Sequence, residues 1–433
     1  MKINAIHIHN KACSTALMML CCMVFFSCVE VDLCEESSHD HLSSVKLNYI
    51  WPDSIAESER PGSMFAFINH MTSKHRIGYI TDSVGGRYRY RYGKVYSDTS
   101  AYAPQPLKVR AGEYQIFAFN KDVVENEAYY QLENLNNFFS ESSETSIRDL
   151  RISYTPHNIS GDWIDFNPKF KYIATNIEPI YFAKNKYDKA TQSYTFIVPK
   201  DGKAEVDLDL RKVTQDITFS FPIYTEFVDS LSPDSQLHID SIIAEISGIP
   251  HGISIYDDLV EVDTTTIYKM LFKMDVDTVN FDIVDSTTMK FPTDFKVEKL
   301  KKMECKSTIS VMGLLANKNP NYINGAGILQ VRIYSHIGNK YKKIQYAKIN
   351  LYKMIKKAHL IITDDWNRII LNSGTNPDFP LSNTFCIDEN VLVITRDLTL
   401  NTLNNNGSLD TWEGDENNDG EVDDDHLFPD IEM

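Results

Sequence analysis

The sequence lacks the features that mark most enzymes and most disulfide-rich proteins. It has only 7 cysteines in 433 residues, and their uneven spacing predicts neither a disulfide framework nor a zinc site. It contains no Gly-x-Ser-x-Gly elbow, no Walker sequence and no His-Glu-x-x-His motif. We therefore predict a protein that is not an enzyme. A glycoside hydrolase remains an alternative, because the separation of paired carboxylates is a three-dimensional property.

Positive charge is also scarce. The formal net charge is −17, which argues against nucleic acid or an anionic membrane surface as a partner. Residues 88–92 (YRYRY) alternate aromatic and basic side chains, as some nucleic-acid-binding segments do. The strict alternation and the acidic chain favour a strand with its tyrosines packed inward and its arginines in solvent.

The N-terminus has the pattern of a secretory signal. Lys2 and Lys11 precede an uncharged run, residues 12–27, that is too short to span a bilayer comfortably. The run ends in Phe25-Phe26-Ser27-Cys28, a small residue directly before a cysteine. This ending resembles the lipobox of bacterial lipoproteins, although the two phenylalanines depart from its strictest form. It predicts a signal peptide over residues 1–27 and a lipid on Cys28.

Residues 28–44 are short, polar and acidic, and we interpret them as a tether between the lipid and the folded protein. Cys34 and the His39-Asp40-His41 run resemble a metal cluster in composition, but nothing beside them would fix the ligand geometry. Cys34, Cys305 and Cys386 remain after processing, and the sequence leaves any bridge between them open.

The folded part consists of many short strands. Residues 107–120 (LKVRAGEYQIFAFN) predict two strands in a hairpin broken at Gly112, the second buried on both faces at the centre of a sandwich. Similar runs, separated by Gly, Pro, Asn and Asp, continue through the second half without regular helical periodicity, so the fold class is all-β with antiparallel sandwiches. We place one sandwich at 45–213, a second at 214–372, and an extension with an acidic tail at 373–433.

The acidic tail contains one candidate metal site. Eleven of the 24 residues in 410–433 are Asp or Glu. Residues 415–423 place oxygen donors and a glycine at the spacing of an EF-hand calcium loop. The candidate Ca²⁺ ligands are Asp415, Asn417, Asp419, Glu421 and Asp423. His426 stands where a bidentate carboxylate is expected and no flanking helices are evident, so a solvated tail without a cofactor is the alternative.

Four features together resemble the fimbrillin-like surface lipoproteins of the Bacteroidetes. They are the Cys28 lipobox, the 107–120 segment, the strand at 179–183 (PIYFA) and the segment at 246–253 (ISGIPHGI). The resemblance implies two tandem transthyretin-like β-sandwich domains, attachment to the outer membrane facing the cell exterior, and a role in adhesion or fimbrial assembly. The long acidic tail departs from the compact anchor subunits of that family.

These expectations give two hypotheses about partners. In the first, surface or fimbrial protein subunits bind by strand addition, and the exchangeable strand is the one nearest the tether, with Val45, Leu47, Tyr49 and Trp51 along it. In the second, the protein binds glycans for a nutrient-uptake system, and Trp51 or Trp163 stacks on sugar rings.

Overall fold

The computed structural model describes part of the chain. The described residues are 43–53, 55–71, 76–78, 95–98, 106–109, 111–120, 130–133, 150–157, 170–174, 179–186, 195–255, 257–261, 266–288, 296–317, 325–338, 341–363, 369–372, 381–387 and 390–404. They form strands almost throughout, which confirms the all-β class.

The strands of the N-terminal half are β1 (Ser43–Ile50), β2 (Met64–Met71), β3 (Arg76–Gly78), β4 (Val95–Asp98), β5 (Leu107–Val109), β6 (Gly112–Asn120), β7 (Tyr130–Glu133), β8 (Arg151–Tyr154), β9 (Phe170–Ile173), β10 (Tyr181–Asn185), β11 (Phe196–Val198) and β12 (Lys203–Lys212). Those of the C-terminal half are β13 (Gln215–Phe227), β14 (Leu237–Ile249), β15 (Gly252–Ser254), β16 (Val260–Glu261), β17 (Ile267–Val276), β18 (Asp282–Asp285), β19 (Lys299–Val311), β20 (Ile328–Ile337), β21 (Tyr341–Asn350), β22 (Ile361–Thr363), β23 (Ile369–Leu371), β24 (Ser382–Cys386), β25 (Asn390–Ile394) and β26 (Leu400–Asn404). A helix, α1 (Tyr352–Ala358), and the short 3-10 helices Glu57–Glu59, Pro233–Ser235 and Ser286–Thr288 complete the described elements.

The first sheet has the order β3-β2-β6-β10-β12-β1-β5, with β4 beside β2 and β11 beside β6. Its strands form where apolar residues alternate with polar ones. In β12, Val206, Leu208 and Leu210 are buried while the intervening acidic residues are exposed. This alternation gives the strand one face for the core and one for solvent.

Strand β6 lies inside the first sheet and is buried on both faces from Tyr114 to Asn120, as the sequence predicted. Phe117 and Phe119 belong to the main core, whereas Ile116 and Ala118 belong to a second core on the other face of the sheet. The predicted hairpin is wrong, however. Strand β5 pairs with β1, and β6 pairs with β2, β10 and β11, because strands adjacent in sequence need not be neighbours in the sheet.

The second sheet is larger and has the order β21-β20-β14-β17-β19-β13-β25-β26, with β9, β18 and β24 beside β17, β19 and β13. Strands β13, β14 and β19 are its longest strands, at 13 residues each. Both large sheets are mixed rather than purely antiparallel as predicted. Parallel pairs join β1 to β12, β9 to β17, and β13 to both β24 and β25.

Strands of the two halves pair directly in a region that we call the joint, formed by β7, β8, β9, β15, β16 and β17. Strands β16, β15, β8 and β7 form a four-stranded sheet in that order, and β9 pairs in parallel with β17. The backbone N–H of Met312 donates a hydrogen bond of 2.6 Å to the hydroxyl of Tyr154. The main core is continuous through this region.

Two further predictions concern where the domains begin and end. The predicted boundary near residues 212–216 coincides with the passage from β12 in the first sheet to β13 in the second. The division into two domains stays a prediction, because the joint pairs strands across it. Residues 382–404, assigned to the extension, supply β24, β25 and β26 to the large sheet. Among the described helices, none is long and apolar enough to cross a bilayer.

Candidate functional site

The predicted partner strand, β1, lies near one end of the first sheet. It pairs in parallel with β12 from Ser44 to Ile50, but with β5 only from Ser43 to Val45. Within the described part of the chain, the edge of residues 46–50 that faces away from β12 therefore has no strand beside it. Free backbone N–H and C=O groups along a strand edge are the template for pairing with another chain.

The side chains of β1 fix the strand to the sheet. Val45 and Leu47 are buried in the second core, and Tyr49 packs against that core. Asn48 donates a hydrogen bond of 3.1 Å to Asp207, and Lys46 lies 3.9 Å from Glu205 in an exposed ion pair. Removing β1 would leave cavities at two apolar positions, so a strand that replaced it must bring apolar residues at alternate positions.

Trp51 follows β1 directly and is half-buried. Its ring meets Tyr181 edge-on at 5.5 Å between centroids, and the Arg60 guanidinium lies 5.4 Å from its centroid. A cation over an indole is a stabilising arrangement within a fold. The Arg60 guanidinium occupies a face of the Trp51 ring on which a sugar would stack. The geometry of Trp51 therefore gives the glycan hypothesis no support.

A cluster of buried charged groups lies at the joint, where β9 pairs with β17 at the side of the large sheet. Lys269 donates a hydrogen bond of 2.8 Å to Glu245, and an Arg332 nitrogen lies 3.7 Å from the other carboxylate oxygen. Tyr172 of β9 donates its hydroxyl to Glu245 at 2.9 Å, and Lys269 lies 3.5 Å from the ring centroid of Phe170. These contacts bind the N-terminal half to the C-terminal sheet.

Burial alone would raise the pKa of Glu245, whose side chain is 3% exposed. The positive charges of Lys269 and Arg332, together with the hydrogen bonds from Lys269 and Tyr172, outweigh it and lower the pKa below its ordinary value. Glu245 is therefore ionised at neutral pH. Neither the cluster nor its location was predicted from the sequence.

A second charged group joins the first sheet to the chain after β15. Arg211 forms an ion pair with Asp258. Burial lowers the pKa of Lys184 to about 8; the charges of Asp258 and Asp257 oppose this shift, and that of Arg211 adds to it. Asp258 has a left-handed backbone, with φ of 60°.

Several predicted site residues lie outside the described residues. They are Cys28, Cys34, Trp163, the 88–92 segment, and the candidate calcium ligands Asp415, Asn417, Asp419, Glu421 and Asp423. Within the described part of the chain, no group of three or more His, Cys, Asp or Glu side chains could hold a metal ion. Cys305 and Cys386 are free thiols, and burial raises the pKa of Cys305.

Comparison with known proteins gives structural neighbours only. No protein-family model matches the chain. No curated protein matches it either. Among solved structures, the chain is similar to proteins of Bacteroides and Porphyromonas species that are described as adhesins, a fimbrial anchor and polysaccharide-binding proteins.

One neighbour, described as a candidate adhesin from Bacteroides ovatus, is 12% identical, with 79% of this chain and 92% of that chain covered and a TM-score of 0.36. The fimbrial anchor protein Mfa2 from Porphyromonas gingivalis is 10% identical, with 84% and 95% covered and a TM-score of 0.36. A candidate polysaccharide-binding protein from Bacteroides thetaiotaomicron is 10% identical, with 84% and 98% covered and a TM-score of 0.33. Similarity at this level assigns neither a function nor a site residue to this chain.

Proposed function

We propose that this protein is a lipid-anchored protein of the bacterial outer surface that binds other protein subunits, in adhesion or in the assembly of a fimbria-like polymer. The lipid on Cys28 would hold it in the outer membrane. The binding chemistry is physical rather than catalytic: a partner strand would take the place of β1, or add to its open edge.

The arrangement of β1 is the observation that carries this proposal. It is the first described strand, it is held by one full ladder to β12, and beyond Val45 none of the described strands pairs with its other edge. Its two buried side chains, Val45 and Leu47, are what a replacement strand would have to supply. A strand with few contacts to the rest of the sheet has a lower free energy of local opening than a central strand such as β6.

A disulfide lock tests whether β1 must move. Lys46 and Glu205 are register partners on β1 and β12 and both are exposed, so cysteines at these positions would join the two strands. The exposed Cys386 is changed to Ser in the same protein to prevent mispairing. The native lipoprotein is then isolated from intact surface membranes, and co-purifying subunits are identified by mass spectrometry.

If β1 is exchanged, the locked protein loses its partner subunits and a reductant restores them. The matched control places cysteines at Thr218 and Thr308, register partners of β13 and β19 whose hydroxyls lie 2.8 Å apart. This control lock should leave capture unchanged. Full capture by the Lys46→Cys/Glu205→Cys protein with its disulfide formed would contradict exchange of β1, and co-purification of glycan alone would favour the nutrient-uptake hypothesis.

A further inference from the structure

The charged residues of this chain are unevenly distributed. Residues 305–363 contain ten Lys or Arg and no Asp or Glu, although the net charge of the whole chain is −17. Residues 410–433, which we call the acidic tail, contain eleven Asp or Glu and no Lys or Arg. The basic segment lies largely within the described part of the chain, and the acidic tail lies outside it. Two segments of opposite charge within one chain attract each other.

Helix α1 carries three charges of the basic segment on one face. Lys353, Lys356 and Lys357 are exposed, and their spacing of three and four residues places them side by side on the helix. We call these three residues the lysine face. The opposite side of α1 packs on the main core through Leu351 and Ile355. The helix is therefore fixed to the core with its lysines directed away from it.

The helix itself does not account for all of these charges. The helix dipole favours positive charge in the last turn, where Lys356 and Lys357 lie. It disfavours positive charge in the first turn, where Lys353 lies. Among the described residues, no acidic side chain forms an ion pair with Lys353 or Lys357. These two lysines can therefore pair with carboxylates from elsewhere.

The described acidic residues beside the chain that follows α1 are already paired. Asp216 adjoins the residue that donates a hydrogen bond of 2.9 Å to the carbonyl of Leu360, but its carboxylate pairs with Lys212. The carbonyl of Asp258 accepts a hydrogen bond from β23, but its carboxylate pairs with Arg211. Neither acid is free to neutralise the lysine face.

The acidic tail is long enough to reach this face. Gln345 of β21, the strand before α1, donates a hydrogen bond of 3.2 Å to the carbonyl of Leu398, which precedes β26. The path from Asn404, the last described residue, through this contact to Lys357 is at most about 60 Å at ordinary strand and helix rises. An extended chain from Asn404 to Asp425 spans up to about 70 Å.

We infer that the acidic tail binds the lysine face of its own chain, with tail carboxylates forming ion pairs to Lys353 and Lys357. Attachment to the same chain gives the tail an effective concentration on the order of millimolar, so a few weak ion pairs are enough to occupy the face. The occupied face is closed to other anionic partners and opens when salt screens the charges. This inference does not depend on the exchange of β1, which lies in the other large sheet.

The test is cross-linking of the full chain with a carbodiimide, which joins a carboxylate to an amine in direct contact, followed by mass spectrometry. Links from the acidic tail to Lys353 and Lys357 should be at least tenfold more frequent than links to Lys200 and Lys203, two exposed lysines beside the start of β12. They should be lost in about 0.5 M NaCl. Equal linking to the two pairs of lysines would overturn the inference.

A mixture of ¹⁴N-labelled and ¹⁵N-labelled protein distinguishes the chain's own tail from that of a second copy. Binding within one chain should give links in which both peptides carry the same isotope. Links that join the two isotopes, as frequent as those that do not, would show that the tail binds a second copy and would overturn the inference.

A variant of the tail tests the same contact without changing the lysines. Asp423→Asn/Asp424→Asn/Asp425→Asn removes three carboxylates and keeps the shapes of the side chains. Acetylation of Lys353 and Lys357 by acetic anhydride should be about fivefold faster in this variant than in the parent protein, because fewer ion pairs protect the amines. Equal rates in the two proteins would contradict binding of the tail to this face.

The matched control removes the same number of negative charges elsewhere. Glu205→Gln/Asp207→Asn/Asp209→Asn changes three exposed residues of β12. Acetylation of Lys353 and Lys357 in this control should proceed at the rate of the parent protein. A rate as fast as that of the tail variant would show that net charge, and not the tail, governs the reaction, and would also overturn the inference.

Discussion

The large sheet has opposite chemistry at its interior and at its margin. At the joint it buries charged groups, with Arg332 1% exposed, Glu245 3% and Lys269 8%. At β18 it exposes apolar groups, with Phe281 and Ile283 both at least 40% in solvent. Both arrangements reverse the usual placement of these residue types. The buried charges have partners that hold the two halves together, whereas the described residues leave the margin uncovered. The first region is therefore expected to determine stability far more than the second.

The strongest test of this comparison is Glu245→Gln. It removes the carboxylate shared by Lys269 and Arg332 while preserving the shape of the side chain. Because both cations stay buried beside a neutral group, we expect the free energy of unfolding to fall by about 3–5 kcal/mol, measured by urea denaturation. Adding Lys269→Met should recover part of the loss. A change no larger than that of the exposed Lys46→Ala would show that the cluster contributes little.

The same carboxylate predicts a pH dependence. The pKa of Glu245 is lowered in the folded protein, below an unfolded value of about 4.3. Its stabilising contribution is therefore fully present above about pH 4.3 and is lost as the pH falls through the folded pKa. The difference in unfolding free energy between the parent protein and Glu245→Gln should shrink on acidification. A constant difference would show that another group controls the acid sensitivity.

A glycine of the joint should give the next largest effect. A Cβ at Gly252 would clash with the carbonyl oxygen of Ile152 and lie 2.8 Å from the Cα of Ser153, because β15 packs tightly on β8. Gly252→Ala should lower stability by about 1–3 kcal/mol in the same assay. Gly62→Ala is the matched control, since a Cβ there has no atom within 4 Å. Equal effects of the two changes would mean that the joint is not tightly packed.

The sequence predicted which residues form strands better than which strands pair with one another. The apolar pattern of residues 107–120 located the doubly buried β6, because burial on both faces leaves a local run of apolar residues. It placed β5 and β6 in a hairpin, because nothing local shows that β5 pairs with β1 instead. Glu245 alternates with Ala244 and Ile246 and so resembles a solvent-facing residue of β14. In the structure it is buried and accepts a hydrogen bond from Tyr172, 73 residues away in sequence, which no local pattern could show.

The 246–253 segment shows what a motif can and cannot predict. The sequence alone links it only to a family resemblance, whereas the structure gives Gly248 a physical reason. Gly248 has φ of 88°, and a Cβ there would lie 2.6 Å from the backbone nitrogen of Gly327. Ser247 accepts a hydrogen bond of 3.2 Å from the N–H of Ile328. These constraints come from Gly327 and Ile328, at the start of β20, so they become visible only once that strand is placed.

Lys184 is largely buried, like the charged groups of the joint, but its burial disfavours its charge. Its pKa is lowered to about 8, from about 10.4 in the unfolded chain. The unfolded state thus binds more protons between these values, and stability should rise with pH from about 8 to 10.4. Lys184→Met should remove that rise and stabilise the protein at pH 7 by about 1 kcal/mol. Loss of stability instead would show that the ion contacts of Lys184 outweigh its desolvation.

The smallest expected effect on stability lies at the margin. Phe281 is 43% exposed and Ile283 40%, and β18 has one described neighbour. Phe281→Ser should therefore change the free energy of unfolding by less than about 0.5 kcal/mol, whereas Phe219→Ser, at a fully buried ring of β13, should cost several. If Phe281→Ser were as destabilising as Phe219→Ser, the margin would be part of the core. A neutral effect on stability would show that the margin lies outside the core, in contrast to the joint.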